Sequence, residues 1–328
     1  MSLLRWLAII LHQMEALVVT HDLTKMFRTL TAVEGVNLTV HAGEVLALLG
    51  PNGAGKTTTI RMLSSILAPT RGRASIAGHD VVQDAEKVRS TLGLLTEHHG
   101  LYTRMKADDY LQFFGRIYGV PEESLEKRIR DLLHQYDLED AAELRLGHYS
   151  KGMRQKLALV RALLHDPQVL LLDEPTSAMD PSSAHMVRES ISGLRGANRA
   201  IIVCTHNLHE AELLADQIAI IRKGKIIARG SPSELKRNLL GDPIMEVRLA
   251  QSLNGLTPYI PDEVVVIAQG DDWIRYRTPE PASVNPLMIR SLQDGGYDVV
   301  TLSEVERSLE DVYLQVVSAG TRPEGVEP

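Results

Sequence analysis

The feature that most constrains this chain is a glycine-rich loop, GPNGAGKT, at residues 50–57, called the phosphate loop below. The unbroken apolar run Val45–Leu49 precedes it, which is typical of a strand covered on both faces of a sheet. Apolar residues at helical spacing follow over 60–67, and Pro69 is expected to end that helix. Strand, glycine loop and helix in this order predict an α/β fold with an anion-binding turn after a buried strand.

The phosphate loop has the pattern G-x-x-x-x-G-K-T, which predicts binding of a nucleoside triphosphate. Glycines let successive backbone N–H groups turn towards phosphate oxygens, and the N-terminus of the next helix adds positive potential. We expect Lys56 to reach the β- and γ-phosphates and the Thr57 hydroxyl to ligate Mg²⁺. The predicted nucleotide-binding residues here are Gly50, Pro51, Asn52, Gly53, Ala54, Gly55, Lys56, Thr57 and Thr58.

Three polar residues follow two further apolar runs. Asp173 and Glu174 come at the end of the run 169–172, and His206 follows the run 201–205. Because ligands gather at the carboxyl ends of parallel strands, we expect these side chains to converge on the phosphate loop. Asp173 is a candidate Mg²⁺ ligand, Glu174 a candidate general base, and His206 a candidate contact to the γ-phosphate and the attacking water. Taken singly, an acidic pair or a histidine here would be structural; the phosphate loop favours the catalytic interpretation.

Composition limits the compartment and the partners. The chain has 328 residues, a formal net charge of −7 and no lysine- or arginine-rich block, so we expect no nucleic acid as its main partner. Its single cysteine, Cys204, cannot form an internal disulfide, and nothing indicates an oxidising compartment. The apolar stretch Leu3–Leu11 is too short to span a bilayer, which requires about 20 residues. We therefore expect a soluble, cytoplasmic chain.

Changes in sequence pattern predict two domains. We expect an N-terminal tail at 1–14, a nucleotide-binding α/β domain at 15–238 and a small α+β module at 244–318, followed by a disordered tail at 319–328. A mostly helical stretch at about 98–165 interrupts the β-type pattern of the larger domain.

Caps and turn residues place further elements. One helix follows Ser124, another is expected over 151–164, and Asn207 with Glu210 has the pattern of a capping box. Apolar runs around Arg222-Lys223-Gly224 predict a hairpin over 218–228. The C-terminal module is expected to be strand, strand, strand, helix, strand, helix at 245–249, 264–268, 273–277, 286–293, 297–302 and 309–317.

These motifs together resemble the ATP-binding subunits of ABC transporters over about residues 15–235. The sequence YSKGMRQK at 149–156, called the signature segment below, stands ahead of a helix at the place of that family's LSGGQ sequence. The other runs that carry the resemblance are Gly50–Thr58, Val169–Pro175, Ser177–Asp180 and His206. The resemblance implies a P-loop NTPase fold with an ABC-type helical subdomain, ATP hydrolysis coupled to transport, and ATP and Mg²⁺ as cofactors.

The resemblance also implies roles for single residues. Phe27 matches the aromatic residue that stacks on adenine, and Glu97 stands where the family has a glutamine that senses the γ-phosphate and Mg²⁺. Ser150 and Gly152 match positions that cap the ATP bound by the opposite subunit, and Asp180 belongs to the loop that crosses the dimer.

The remaining implications concern hydrolysis and partners. Glu174 matches the family's catalytic base and His206 its switch histidine, so ATP is expected between two such domains arranged head to tail. We expect a homodimer bound to a separate transmembrane permease, with this chain peripheral on the inner face of the cell membrane.

Three residues depart from the family pattern. Glu97 brings a carboxylate near the expected Mg²⁺, Lys151 replaces a glycine, and Met153 replaces a glutamine. A lysine restricts the backbone where glycine does not, and it also places a cation near the partner's phosphates. We hypothesise that Lys151 helps to hold the γ-phosphate across the dimer.

Two further segments indicate a subclass. ERSLEDVYL at 306–314 is similar to the end of ATPase subunits of ABC-2 type drug and antibiotic exporters, and 101–119 is similar to the helical segment of that group. The first could equally be an ordinary amphipathic helix. A non-transport ABC ATPase acting on ribosomes or nucleic acid is the alternative, although such proteins usually carry two ATPase domains. A P-loop kinase or GTPase is disfavoured by the signature segment and by the lack of a guanine-reading N-K-x-D motif.

Overall fold

The computed structural model describes residues 15–96, 100–177, 179–195, 199–253, 260, 264–305 and 307–313. The predicted tails at 1–14 and 319–328 and the candidate metal residue Glu97 lie outside these ranges. The chain divides by its internal contacts into two compact units, Met1–Pro232 and Ser233–Pro328. Within the described ranges, no helix is both long and apolar enough to cross a bilayer.

The first unit is built on two sheets. Its strands are β1 (Ala16–Phe27), β2 (Leu30–Val36), β3 (Thr39–His41), β4 (Val45–Leu49), β5 (Arg71–Ile76), β6 (His79–Asp80), β7 (Leu92–Leu95), β8 (Val169–Asp173), β9 (Ala200–Thr205), β10 (Gln217–Arg222) and β11 (Lys225–Gly230). Its helices are α1 (Lys56–Leu63), α2 (Ala85–Thr91), α3 (Ala107–Ile117), α4 (Glu122–Gln135), α5 (Lys151–Leu163), α6 (Pro181–Leu194) and α7 (Leu208–Leu214). The larger sheet has the order β11-β10-β4-β9-β8-β7, and the smaller has the order β2-β1-β5-β6 with β3 also on β1.

The larger sheet brings the predicted strand-end residues to one edge. Strands β10, β4, β9, β8 and β7 are parallel, so their carboxyl ends lie together. Strands β4, β8 and β9 are buried along their whole length, which explains their unbroken aliphatic sequences. Helix α1 follows β4 directly, and this places the phosphate loop at the same edge.

Helices α3, α4 and α5 form the helical part of this unit. They pack around an aliphatic core that also contains the fully buried rings of Tyr110 and Tyr136. Arg161 of α5 donates a hydrogen bond to the Tyr110 hydroxyl at 2.6 Å. Burial raises the pKa of Tyr136 to about 12, so this phenol stays neutral in the core.

The predicted end of the helix after the phosphate loop is wrong. Helix α1 stops at Leu63, whereas apolar spacing predicts that it extends over 60–67. Ser65 adopts a left-handed conformation with φ of +56°, which cannot continue an α-helix. Ile66, expected on the buried face, is 59% exposed. The hairpin over 218–228, by contrast, is confirmed by the antiparallel pairing of β10 and β11.

The second unit is an antiparallel sheet with helices. It contains α8 (Pro232–Leu240), β12 (Ile244–Leu249), β13 (Val265–Gln269), β14 (Trp273–Arg277), α9 (Pro281–Asp294) and β15 (Val299–Glu304), with strand order β13-β14-β12-β15. The limit at 238 that the sequence predicts falls inside α8, and the division by contacts comes near the start of this helix. Helix α9 begins five residues before the predicted start at Pro286, because Pro281 occupies the first turn and Pro286 is accommodated inside the helix.

The ERSLEDVYL segment begins with a helix cap. The Asp311 carboxylate accepts hydrogen bonds from the backbone N–H and hydroxyl of Ser308, each at 3.0 Å, and the Asp311 N–H donates to the Ser308 hydroxyl at 3.2 Å. This reciprocal pair satisfies N–H groups of the first helical turn. Leu309 and Val312 are buried, so the described part of the segment packs as an amphipathic helix does.

Candidate nucleotide site

A cleft of about 820 Å³ opens where the phosphate loop meets the ends of β8 and β9. The turn between β10 and β11 and the start of β2 also line it. The predicted site residues that it brings together are Phe27, Pro51, Asn52, Gly53, Gly55, Lys56, Thr57, Thr58, Asp173, Glu174 and His206. The convergence expected from the strand order is therefore present in the structure.

Two glycines allow the phosphate loop to take its shape. Gly55 has φ of +112°, and a Cβ there would lie 2.6 Å from the carbonyl oxygen of Ala32. A Cβ on Gly50 would lie 2.3 Å from the carbonyl oxygen of Ile221. Side chains are thus excluded at Gly50 and Gly55. Gly50 and the buried Ala54 are not among the residues that line the cleft, so they shape the loop from below its surface.

Lys56 is held against the phosphate loop with its ammonium group at the cleft. Its side chain is almost fully buried, and Nζ donates to the carbonyl oxygens of Gly50 at 2.6 Å and Pro51 at 3.3 Å. The same nitrogen lies 3.5 Å from Oε1 of Glu174. A buried ammonium group needs such partners, and phosphate oxygens are suitable additional acceptors.

Thr57 and Asp173 form an oxygen-rich corner of the cleft. The Thr57 hydroxyl donates to Oδ2 of Asp173 at 2.8 Å, and the aspartate is almost completely buried. Hydroxyl and carboxylate oxygens are the ligand types that Mg²⁺ prefers, and it takes only a few of them from the protein. The donor set of this corner therefore fits Mg²⁺ held jointly by protein and triphosphate.

Glu174 and His206 lie side by side at the cleft. Nδ1 of His206 and Oε1 of Glu174 are 2.8 Å apart. The glutamate side chain is 12% exposed and the histidine side chain 59% exposed, so the carboxylate is sheltered while the imidazole faces solvent. Glu174 also has φ of +53°, an uncommon backbone conformation for a residue other than glycine.

Phe27 contributes an aromatic ring to the cleft. Its ring lines the cleft and is 44% exposed. The Lys25 ammonium group lies 5.3 Å from the ring centroid, within range of a cation–π contact. An exposed aromatic face beside a phosphate-binding loop can stack on a flat base.

The residues assigned to contact with a second subunit do not line this cleft. Ser150 caps α5 by accepting a hydrogen bond from the N–H of Met153 at 3.2 Å, and Lys151 is exposed. A Cβ on Gly152 would contact nothing within 4 Å. Asp180 caps α6, where the backbone N–H of Ser183 lowers the pKa of its carboxyl.

Three residues at or beside the site were not predicted from the sequence to have the roles they have in the structure: Gln155, Glu210 and Lys223. Gln155 is buried, and its side-chain amide donates to the carbonyl oxygens of Glu174 at 2.9 Å and Pro175 at 3.1 Å. The Glu210 carboxylate does not close the predicted capping box but accepts from the hydroxyls of Thr176 at 2.5 Å and Thr205 at 2.6 Å.

Only the Asn207 half of that box forms, with its Oδ1 accepting from the N–H of Glu210 at 3.1 Å. The third of these residues is Lys223, in the β10–β11 turn. It lines the cleft as Lys56 does, and so adds a second lysine to the site. The spacing of a capping box predicts only that the Glu210 carboxylate caps its own helix. Its actual partners are Thr176, which follows β8, and Thr205, which ends β9.

Comparisons with known proteins agree with this geometry. Residues 33–177 match the family model described as ABC transporter. The chain is 37% identical over 231 residues to the ABC transporter ATP-binding protein NatA of Bacillus subtilis (strain 168), covering 70% of this chain and 94% of that protein. It is 34% identical to a Nod factor export ATP-binding protein I of Ralstonia nicotianae, covering 92% of this chain and 93% of that protein.

A solved structure is similar as well. The structure described as that of an ATP-binding subunit of an ABC transporter has a TM-score of 0.65 and 31% sequence identity, and the match covers 69% of this chain and 94% of that one. The P-loop NTPase fold with an ABC-type helical subdomain is therefore confirmed. The chain belongs to the ABC transporter family and is one of its ATP-binding, ATP-hydrolysing subunits.

Proposed function

We propose that this chain powers a separate transmembrane permease of the ABC-2 export type from the inner face of the cell membrane. The observation that carries the proposal is the separation of its site residues. The cleft gathers the phosphate loop with Asp173, Glu174 and His206, whereas Ser150 and Gly152 do not line it. A cleft that provides one side of a nucleotide site suits an ATPase in which a second copy closes over the bound ATP and separates again after hydrolysis.

The roles in nucleotide binding follow from the chemistry of the cleft. Phe27 stacks on the base, and backbone N–H groups of the phosphate loop together with Lys56 bind the phosphates. Thr57 and Asp173 supply protein oxygens for Mg²⁺, which when bound neutralises phosphate charge. Glu97, the remaining candidate ligand, lies outside the described residues.

The proposed hydrolytic residues are Glu174 and His206. The sheltered carboxylate of Glu174 accepts a proton from the attacking water as the water oxygen bonds to the γ-phosphorus. The bond between the γ-phosphorus and the β–γ bridging oxygen breaks in the same step, and ADP leaves. His206, with Nδ1 2.8 Å from that carboxylate, orients it, and when the imidazole is doubly protonated its Nε2 can also donate a hydrogen bond to a γ-phosphate oxygen. Lys56 lies 3.5 Å from the same carboxylate oxygen and stabilises the negative charge on the phosphates.

A second copy of the chain completes the site in this proposal. The first turn of α5 contains no acidic residue, and its first residue is the exposed Lys151. A cation is disfavoured at a helix N-terminus unless an anion lies opposite. The triphosphate bound by another copy, reached by Ser150, Lys151 and Gly152, is such an anion. Asp180, at the start of α6, is proposed to lie at the same dimer interface.

Export as the direction of transport is supported by the relatives. Besides the Nod factor export protein, a daunorubicin resistance ATP-binding protein, DrrA3 of Streptomyces coeruleorubidus, is 34% identical over 292 residues. These matches cover about nine-tenths of this chain, so they include the second unit. They favour a transport role over action on ribosomes or nucleic acid, which we do not expect as partners.

The proposal is tested by co-expression of this chain with a candidate permease, chosen as a polytopic membrane protein from the same genome. We expect the two to co-purify from detergent-solubilised membranes and ATP turnover to rise when both are reconstituted in vesicles. Glu174→Gln is the matched control, because it should still co-purify but should turn over ATP about 10³-fold more slowly. Recovery with ribosomes or DNA, and none with membranes, would contradict the proposal.

A further inference from the structure

We infer that Gln155 is a positioning residue for ATP hydrolysis, through which helix α5 fixes the turn that carries Glu174. The inference rests on the proposed role of Glu174 and extends it to a residue that does not line the cleft. Gln155 lies on the helix that begins with the signature segment and is 3% exposed.

The contact that carries the inference is a double hydrogen bond. Nε2 of Gln155 donates to the carbonyl oxygen of Glu174 at 2.9 Å and to that of Pro175 at 3.1 Å. One amide group therefore holds two successive peptide units of the turn. Because Gln155 is buried, water cannot readily replace these hydrogen bonds. Removing the amide donor would therefore be unfavourable, since the Pro175 carbonyl oxygen would lose the bond that Gln155 donates.

The Glu174 turn is a place where such support matters. Glu174 has φ of +53°, a conformation that is unfavourable for a residue with a Cβ and persists only where the surroundings enforce it. On one side its N–H donates to the carbonyl oxygen of Cys204 at 2.8 Å, continuing the pairing of β8 with β9. On the other side Gln155 holds the carbonyl groups.

A second clamp acts further along the same turn. The Thr176 hydroxyl donates to Glu210 at 2.5 Å, and Glu210 also accepts from Thr205 at the end of β9. This clamp ties the turn to α7, the helix that follows His206. With α7 fixing one end, Gln155 is the side chain that connects the Glu174 peptide itself to α5.

The consequence is a short physical connection between two nucleotides. Ser150 and Gly152 are proposed to contact the ATP of a partner copy, and Gln155 follows on the same helix. A displacement of α5 on contact with the partner's nucleotide would therefore be transmitted to the peptide of this chain's own Glu174. Gln155 then makes hydrolysis in one site depend on the occupation of the other.

The test removes the two donors while keeping the side-chain volume. Gln155→Met and Gln155→Glu are compared with Arg161→Met, a change on the same helix beyond the signature segment that removes the 2.6 Å hydrogen bond from Arg161 to the Tyr110 hydroxyl. In the full chain at a temperature where each variant is fully folded, we expect both Gln155 variants to lower kcat about 30-fold. The KM for ATP should stay within about twofold, and Arg161→Met should leave both constants within about twofold.

A second arm combines the change with Glu174→Gln. If Gln155 acts by positioning Glu174, adding Gln155→Met to Glu174→Gln should lower single-turnover hydrolysis no further than about twofold. An equal loss in both backgrounds, a raised KM with unchanged kcat, or full turnover of Gln155→Met would each overturn the inference. Full turnover of Glu174→Gln would instead overturn the role of Glu174, and with it this inference. A missing permease partner would affect neither arm.

Discussion

The phosphate loop and the signature segment have opposite characters within the same unit of the chain. Around the phosphate loop, the candidate side chains already engage one another: Lys56 contacts Glu174, and Thr57 contacts Asp173. In the signature segment, Lys151 is exposed, and Gly152 has open space where a side chain would begin. The first region is preorganised within one chain, while the second is shaped for contact with something outside it.

This difference separates binding from turnover. A preorganised loop can bind nucleotide in a single copy, since its groups lose little freedom when phosphate arrives. Hydrolysis, in our account, also requires the signature segment of a partner to close over the triphosphate. Changes at the phosphate loop should therefore act on a single chain, and changes at Ser150, Lys151 and Gly152 should act only on the pair.

The largest effect is expected from Glu174→Gln. Removing a general base that lies 2.8 Å from His206 should lower kcat by about 10³-fold, while the dissociation constant for ATP stays within about twofold. Steady-state hydrolysis and fluorescent-nucleotide titration measure the two quantities. Glu189→Gln, which changes an exposed carboxylate on α6, is the control and should behave as wild type. Unchanged turnover in Glu174→Gln would exclude the proposed base.

Lys56→Ala should weaken ATP binding by about 100-fold in a single chain. The loss corresponds to about 3 kcal/mol, the upper end for hydrogen bonds to a charged group. Isothermal titration with ATP tests it, with Lys225→Ala as control, because Lys225 is an exposed lysine paired only across the surface with Glu34. An equally large loss in the control would show that the effect is general electrostatics rather than contact.

Phe27→Ala should weaken ATP binding by about tenfold. Stacking on an aromatic ring contributes about 1–3 kcal/mol per base, and the ring is only partly exposed within the cleft. Phe27→Tyr keeps the ring and should restore the affinity. If Phe27→Ala binds ATP as tightly as wild type, the base lies elsewhere in the cleft.

The smallest effect is expected at Lys151. In the Glu174→Gln background, Lys151→Gly should weaken ATP-driven dimerisation about fivefold, because an exposed ion pair contributes up to about 1 kcal/mol. Lys151→Gln serves as the control for helix propensity and should show the same loss, while ATP binding to one copy is unchanged. If Lys151→Gly dimerised with ATP as tightly as its parent, the proposed contact between Lys151 and the partner's γ-phosphate would be disproved.

The cleft was predictable from sequence because its residues follow apolar runs. Strand ends fix where Asp173, Glu174 and His206 must lie once the strands are parallel. The positions of the candidate general base Glu174 and of the candidate Mg²⁺ ligand Asp173 follow from that topology. The structure brings the side chains of Asp173, Glu174 and His206 together at the cleft, where the proposed roles require them.

The buried clamps and the helix ends were not predictable in the same way. Gln155 bonds to backbone carbonyl groups 19 and 20 residues away, which leave no mark on side-chain patterns. The spacing of Asn207 and Glu210 indicated a local cap, but the hydroxyls after β8 and at the end of β9 compete successfully for the carboxylate. Helix α1 ends early because Ser65 adopts a left-handed conformation that periodicity does not encode.

The most direct test of the account is made at Gly152. A Cβ there meets nothing within 4 Å, and an aspartate in the first turn of α5 is favoured by the helix dipole, so Gly152→Asp should fold normally. Facing a partner's triphosphate, however, the new carboxylate would repel it. In the Glu174→Gln background, sedimentation velocity with Mg²⁺-ATP should show a dimer for the parent and a monomer with ATP bound for Gly152→Asp. An ATP-dependent dimer in both would contradict the claim that a second copy completes the site.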